Sequence, residues 1–293
     1  MSAIAVLASD FDIRNEAEFK RCIPSDAKLE KLASGFKFTE GPTWVEWNGG
    51  FLVFSDIPAN ELKKWTRKDG VSTFRQPSHN ANGNLFEKGR LITCEHSGRR
   101  VAIQTKDKPL ATLVDQFDGK KFNSPNDGAV KSDGTVWFTD PDYGLGQNKR
   151  EIEGNYVFRF DPKTKQVTAV VKDFDKPNGI AFSPDEKKLY VADSGKPKHI
   201  RVFDVQKDGT LANGKVFCDI DQGVPDRIRC DKQGRVWSSA GDGVHVFAPD
   251  GSLVGKILVP ESPANLCFGG KDGRTLFITA RSSLYAIEIA SRN

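Results

Sequence analysis

Short apolar runs alternate with polar turn signals along this chain, and six of the runs share one layout. They are FLVFSD ending at Asp56, RLITCEH at His96, TVWFTD at Asp140, KLYVAD at Asp193, RVWSSA at Ala240 and TLFITA at Ala280. Each ends 14 to 16 residues after the start of a phrase that opens on a polar residue. The phrases are Glu40-Gly-Pro, Asn82-Gly-Asn, Asn126-Asp-Gly, Asn178-Gly-Ile, Asp226-Arg-Ile and Asn265-Leu-Cys. Between phrase and run lies a turn signal such as Asn48-Gly-Gly, Asp133-Gly, Pro184-Asp or Asp272-Gly. Apolar runs of this length bounded by Gly and Asp read as strands. A strand-and-turn unit recurring every roughly 40 to 50 residues predicts an all-β, six-bladed β-propeller with one repeat per blade. Equivalent positions in radial blades converge on one axis. Six oxygen-bearing side chains are therefore expected to meet there.

Within the fourth repeat, Asn178 to Phe182 reads as an inner strand and Lys188 to Ala192 as the second. His199 to Asp204 and Lys215 to Cys218 follow as the third and the outer strand. The last repeat offers Leu266 to Phe268, Thr275 to Ala280 and Ser283 to Ile289, and then stops. Ala27 to Leu32 or Phe36 to Thr39 could supply its missing strand, which would close the ring and remove an exposed edge. Residues 10–35 hold the stretches DIRNEAEFKR and SDAKLEKLAS, whose mixed charge has helical character; the first predicts a short N-terminal helix over one end of the propeller. The expectation is one domain over residues 1–293, with residues 1–35 as an N-terminal extension.

Composition narrows the partners. The net charge is +4, and Lys and Arg are spread along the chain in pairs such as Lys63-Lys64 and Arg99-Arg100, without the stripe a nucleic acid would need. Five cysteines, widely spaced and without CxxC, argue against a zinc site or a disulfide framework. Cys94, Cys218 and Cys267 lie in or beside strand-like runs, as small apolar residues do. The apolar start MSAIAVLASD has no basic residue before it and is too short for a leader or a membrane span. A cytoplasmic protein with no nucleic-acid or membrane partner is expected, as a monomer or weak homo-oligomer, since a closed ring needs no partner.

Asn and Asp before a strand often serve turns, which explains any one phrase taken singly. The set asks for more. Glu40 is a poor turn former, and Asp226 stands where Asn recurs elsewhere. Two carboxylates and several amides around one axis suit a hard divalent cation such as Ca2+, which takes oxygen ligands. No His or Cys shares the phrase position, which argues against zinc. Such a cation could polarise a carbonyl or phosphoryl oxygen, with Asp226 or Glu40 accepting a proton from water. It could equally be a structural ion that pins the blades. No GxSxG, P-loop or dinucleotide fingerprint is present.

The segments GPTW, PNDG, FTDPDYG, PNGIAFSPDEKKLYVADS and GVPD, in this order, resemble the senescence marker protein/gluconolactonase/regucalcin family, and ANGN with CEHSGRRV and NSPND its bacterial gluconolactonase branch. The resemblance runs from about Phe38 to Ile289. It implies a six-bladed propeller with an axial divalent metal, commonly Ca2+ and sometimes Zn2+ or Mn2+, that hydrolyses a sugar lactone. By motif, Glu40, Asn178 and Asp226 match the family's metal ligands. Asn126 matches a residue that binds metal or substrate, and Asp226 also matches the proposed general base. An aldonolactone is the implied substrate. A phosphotriester or aryl-ester hydrolase on the same site, or a non-catalytic calcium-binding propeller, remain the alternatives.

Two positions depart from the family. Ser124 stands where many members carry a substrate-contacting Arg and is itself a candidate for substrate contact, and Arg227 follows the PD aspartate where Gly is usual. Arg227 could pair with an anionic substituent of the substrate or brace a neighbouring blade. Asn82, His96 and His79 near the expected mouth are further candidates for substrate contact, each with a structural role as the alternative. Asp140, Tyr143 and Asp193 sit in turns; of these Tyr143 is also a candidate for substrate contact.

Overall fold

The computed structural model describes residues 10–290, and the repeats form a six-bladed β-propeller. Each repeat is an antiparallel sheet meandering outward from the axis. Blade 1 comprises Thr39–Val45, Phe51–Asp56, Glu61–Thr66 and Gly70–Arg75. The first strands of blades 2 to 6 are Ala81–Glu87, Gly128–Val130, Pro177–Phe182, Ile228–Cys230 and Pro263–Gly269. Together the six first strands touch one another in a closed ring around the axis. Because every one runs the same way, all six phrases lie at the same end.

The apolar faces pack between blades, not within them. Six clusters lie at the six junctions: Leu52, Phe54 and Trp65 meet Cys267 and Phe277 between blades 1 and 6, for example. Trp137 and Val157 meet Ile180 and Leu189 between blades 3 and 4. Cys94, Cys218 and Cys267 are buried in these junctions as small apolar side chains. Near the axis the junctions turn polar. Hydroxyls on second strands reach the next blade's first strand: Ser55 donates to the Asn82 carbonyl at 2.7 Å and Thr139 to the Asn178 carbonyl at 2.7 Å. Ser239 does the same to Ala264 at 2.8 Å. These bonds satisfy inner carbonyls that the antiparallel meander leaves unpaired.

The N-terminal segment seals the junction of blades 5 and 6. Phe11–Ile13 pairs with Leu253–Leu258 and makes blade 5 five-stranded. The helix Glu16–Phe19 follows, capped by Asn15, whose side chain accepts from the Glu18 amide at 3.2 Å. Phe19 drops into the apolar cluster between the two blades. Glu30–Ser34 pairs with Ser283–Glu288 and provides the fourth strand of blade 6. It overlaps the Ala27–Leu32 segment and leaves Phe36–Thr39 to lead into blade 1. The helical character read in SDAKLEKLAS is thus overridden by an available sheet edge. No described helix is long and apolar enough to cross a membrane.

Candidate functional site

Three glycines show how closely the blades approach at the axis. Gly179 donates its amide to the Asp226 carbonyl at 2.8 Å, and a Cβ there would lie 2.6 Å from the Ile228 nitrogen and 2.8 Å from the Arg227 Cα. Gly83 donates likewise to the Asn126 carbonyl at 2.8 Å. Gly41 adopts φ +53°, and a side chain there would collide with Asn82 and Asn84. Glycine after the phrase residue therefore lets neighbouring first strands touch, which draws the phrase side chains into one ring.

The ring is a chain of amides ending on carboxylates. Asn82 Nδ2 donates to Asn126 Oδ1 at 2.5 Å, and Asn126 Nδ2 to Asn178 Oδ1 at 2.5 Å. Asn178 Nδ2 donates to Ser194 Oγ at 3.0 Å, and Asn178 also hydrogen-bonds Asp226. On the other side, Glu40 Oε2 accepts from Asn265 Nδ2 at 2.6 Å and from the Gly41 amide at 2.9 Å. Neither bond involves Oε1. Glu40, Asn126, Asn178 and Asp226 are thus gathered at one end of the axis, with Asn82 and Asn265 filling the remaining blades. All are buried except Asp226, which is partly exposed.

Electrostatics mark the two carboxylates as unusual. Burial pushes Asp226 well above the usual carboxylate range, the Glu40 charge pushes it further, and the Asn178 bond only partly offsets them. Burial raises Glu40 as well, against the bonds from Asn265 and Gly41 and the charge of Arg227. His96 joins the ring, its Nε2 lying 3.1 Å from Asn126 Oδ1 and 3.2 Å from Asn82 Nδ2. Burial lowers its pKa to about 4, so the imidazole is neutral at pH 7. Among the described residues no three His, Cys, Asp or Glu cluster as a metal site. The donors are two carboxylates and amides, with a surplus of negative charge. That set fits a hard oxygen-seeking cation.

The remaining candidates divide. Tyr143 is exposed at this end; its hydroxyl bonds Ser194 and it senses the Asp226 charge, while the Lys176 ammonium lies 5.6 Å over its ring. His79 is partly buried with φ +58° in the loop before Asn82, and its carbonyl accepts from the Ser97 amide at 3.1 Å. Ser124 corrects its reading as a substrate contact. It is fully buried, donating to the Pro141 carbonyl at 2.6 Å and accepting from the Gly144 amide at 2.9 Å. Both hydroxyl functions are used in bracing the Tyr143 loop. Asp140 and Asp193 also serve backbone: Asp140 accepts from the Asn123 and Ser124 amides at 2.8 Å each, Asp193 from those of Asp175 and Lys176.

Arg227 takes the bracing role and not the substrate contact. Its side chain is wholly buried and pairs with Asp127 of blade 3, so it cannot meet an anionic substituent at the mouth. It forms the layer beneath the ring, where Asp127 also accepts from the Gly128 and Ile180 amides at 2.7 and 3.1 Å. Asp127 escaped the reading, although a signal existed. The residue after each phrase opener is Gly41, Gly83, Asp127, Gly179, Arg227 and Leu266. The two charged members are opposite in sign, and the glycines leave them room. Ser194, in the loop VADSG, carried no such signal.

Residues 38–282 match the family model described as the SMP-30/gluconolactonase/LRE-like region. Over 288 residues the chain is 36% identical to a gluconolactonase of Zymomonas mobilis, spanning 88% of this chain and 80% of that protein. It is 29% identical over 248 residues to a 6-deoxy-6-sulfogluconolactonase of Pseudomonas putida, 82% of each being covered. The solved structure of a gluconolactonase from Xanthomonas campestris superposes with a TM-score of 0.88 at 33% identity, covering 95% of this chain and 94% of that one.

Proposed function

The chain belongs to the SMP-30/gluconolactonase/LRE-like family, and on that premise we propose that this lactone-hydrolysing enzyme opens a sugar lactone, an aldonolactone in class, at the axial ring, with the aid of a divalent cation. The supporting observation is the pairing of Glu40 and Asp226, two neighbouring carboxylates that repel each other inside a ring of amides. A cation would relieve that repulsion. Glu40, Asn126, Asn178 and Asp226 would hold it, Ca2+ being the best match to their oxygens. When bound, it would supply Lewis acidity toward the ester carbonyl.

The chain's own side chains do the rest. Asp226, the most open member of the ring, takes the proton from the attacking water. Burial and the Glu40 charge raise its pKa, which makes it a stronger base than an ordinary carboxylate. Asn265 and the Gly41 amide hold one oxygen of Glu40, and among the described residues the other accepts no hydrogen bond. Neutral His96 with Asn82 and Asn126 offers donors and acceptors to sugar hydroxyls without adding charge. Tyr143 lies over the mouth as a wall for the sugar.

The test is acid release from gluconolactone in a pH-stat. Asp226→Asn is expected to lower turnover about 100-fold or more while the melting temperature is kept. Full turnover by that variant would refute the assignment. Faster turnover of a fluorophosphate or aryl ester than of any aldonolactone would instead favour another ester, and cation binding without hydrolysis would favour a non-catalytic propeller.

A further inference from the structure

At the end of the axis opposite the polar ring, the six first strands finish around a cavity of about 750 Å3. That volume falls within the range of small-molecule sites, about 300–1,000 Å3. Arg229 lines it. Residues two apart on a strand share a face, so Arg229 lies on the same axial side as Arg227, one layer further down. The two differ in one respect. Arg227 has Asp127 as its partner and feels the charge of Glu40. Arg229 donates to the Ile228 carbonyl at 3.1 Å, and among the described residues no acidic side chain pairs with it. It is partly buried, and it repels Arg227. Burial lowers its pKa to about 10, so it keeps its charge at neutral pH.

A charged fork left without a counter-ion inside a concave wall is an incomplete ion pair. Trp44, Phe182 and Phe268 share the lining with it. We propose that this cavity binds a small monocarboxylate, with Arg229 pairing the carboxylate and the Trp44, Phe182 and Phe268 rings covering an organic body. Arg fits a planar carboxylate through two parallel bonds. The wall also holds Glu46 and Glu87 against a single Lys271, a charge balance that disfavours dianions such as phosphate. The Arg227–Asp127 layer separates the cavity from the polar ring, so this site stands independently of the lactone reaction.

Benzoate is the probe, titrated by calorimetry into wild type, Arg229→Gln and Asp226→Asn. Wild type and Asp226→Asn are expected to bind it equally, and Arg229→Gln at least about ten-fold more weakly. Absence of binding by wild type up to about 10 mM, equal binding by Arg229→Gln, or loss of binding in Asp226→Asn would each overturn the proposal. If Arg229→Gln fails to fold, Glu87→Gln decides. Removing that charge must tighten benzoate binding by about two-fold or more, and an unchanged affinity overturns the proposal.

Discussion

One carboxylate braces the ring closure, and its contribution can be read from pH. Glu261 lies between the outer strand of blade 5 and the first strand of blade 6. Its Oε1 accepts from Ser283 Oγ at 2.5 Å and Tyr285 Oη at 2.8 Å, and its Oε2 from Ser282 Oγ at 2.9 Å and the Ser282 amide at 3.1 Å. Lys31, on the N-terminal strand that completes blade 6, adds its ammonium at 3.3 Å. Burial alone would raise the carboxyl, but the bonds from Ser283, Tyr285 and Ser282 outweigh it and move the pKa from the ordinary 4.5 to about 2. Such a displacement corresponds to about 3 kcal/mol between the two protonation states. The side chain keeps 22% of its surface in water, so we take about 1–2 kcal/mol after screening. A lowered carboxyl stabilises the fold above its unfolded value of 4.5, and that stabilisation fades as pH falls toward 2. Glu261→Gln should therefore unfold at lower denaturant than wild type at pH 7, with the gap closing as the pH is lowered toward 2. Equal stability at pH 7, or a gap undiminished by acid, would refute the reasoning.

Gly179→Ala should press its methyl onto the Asp226 backbone, costing about 1–3 kcal/mol in a melting experiment; kcat/KM should fall more than stability explains, because Asp226 moves. Asp127→Asn leaves the buried Arg227 guanidinium uncompensated and should destabilise by about 3 kcal/mol or more. Adding Arg227→Met to it should recover much of that loss, and a double variant no better than the single would contradict the pairing. Ser194→Ala removes the acceptor for Asn178 Nδ2; calorimetric Ca2+ affinity should fall, with no more than about 1 kcal/mol lost in melting.

Much of this was legible because repetition averages out local ambiguity. The strand set expected in blade 4 differs from Pro177–Phe182, Lys188–Asp193, His199–Val205 and Leu211–Asp219 mainly at its edges. The phrase residues were recognisable because one chemistry recurred at one position. What lay outside the repeat was harder. Phe11–Ile13 is too short to announce itself, and it is a strand because blade 5 offers an edge. Lys31 and its charged neighbours have helical character as well as the place of a closing strand, and the unpaired edge of blade 6 decides for the strand. Ser124 was read as a substrate contact, and Arg227 as either a substrate partner or a brace between blades, because they depart from a family pattern at site-adjacent positions. Distance along the chain from a ligand does not reveal which way a side chain leaves the strand, and both turn inward to buried partners.

The central claim is that Glu40, Asn126, Asn178 and Asp226 share one divalent cation on which lactone opening depends. Calorimetric titration of Ca2+ into chelator-treated protein, with turnover followed in the same samples, tests it most directly. The account predicts one cation per chain, activity returning in step with occupancy, and binding weakened at least about 100-fold in Asp226→Asn. Unchanged lactone turnover in the cation-free protein would contradict it.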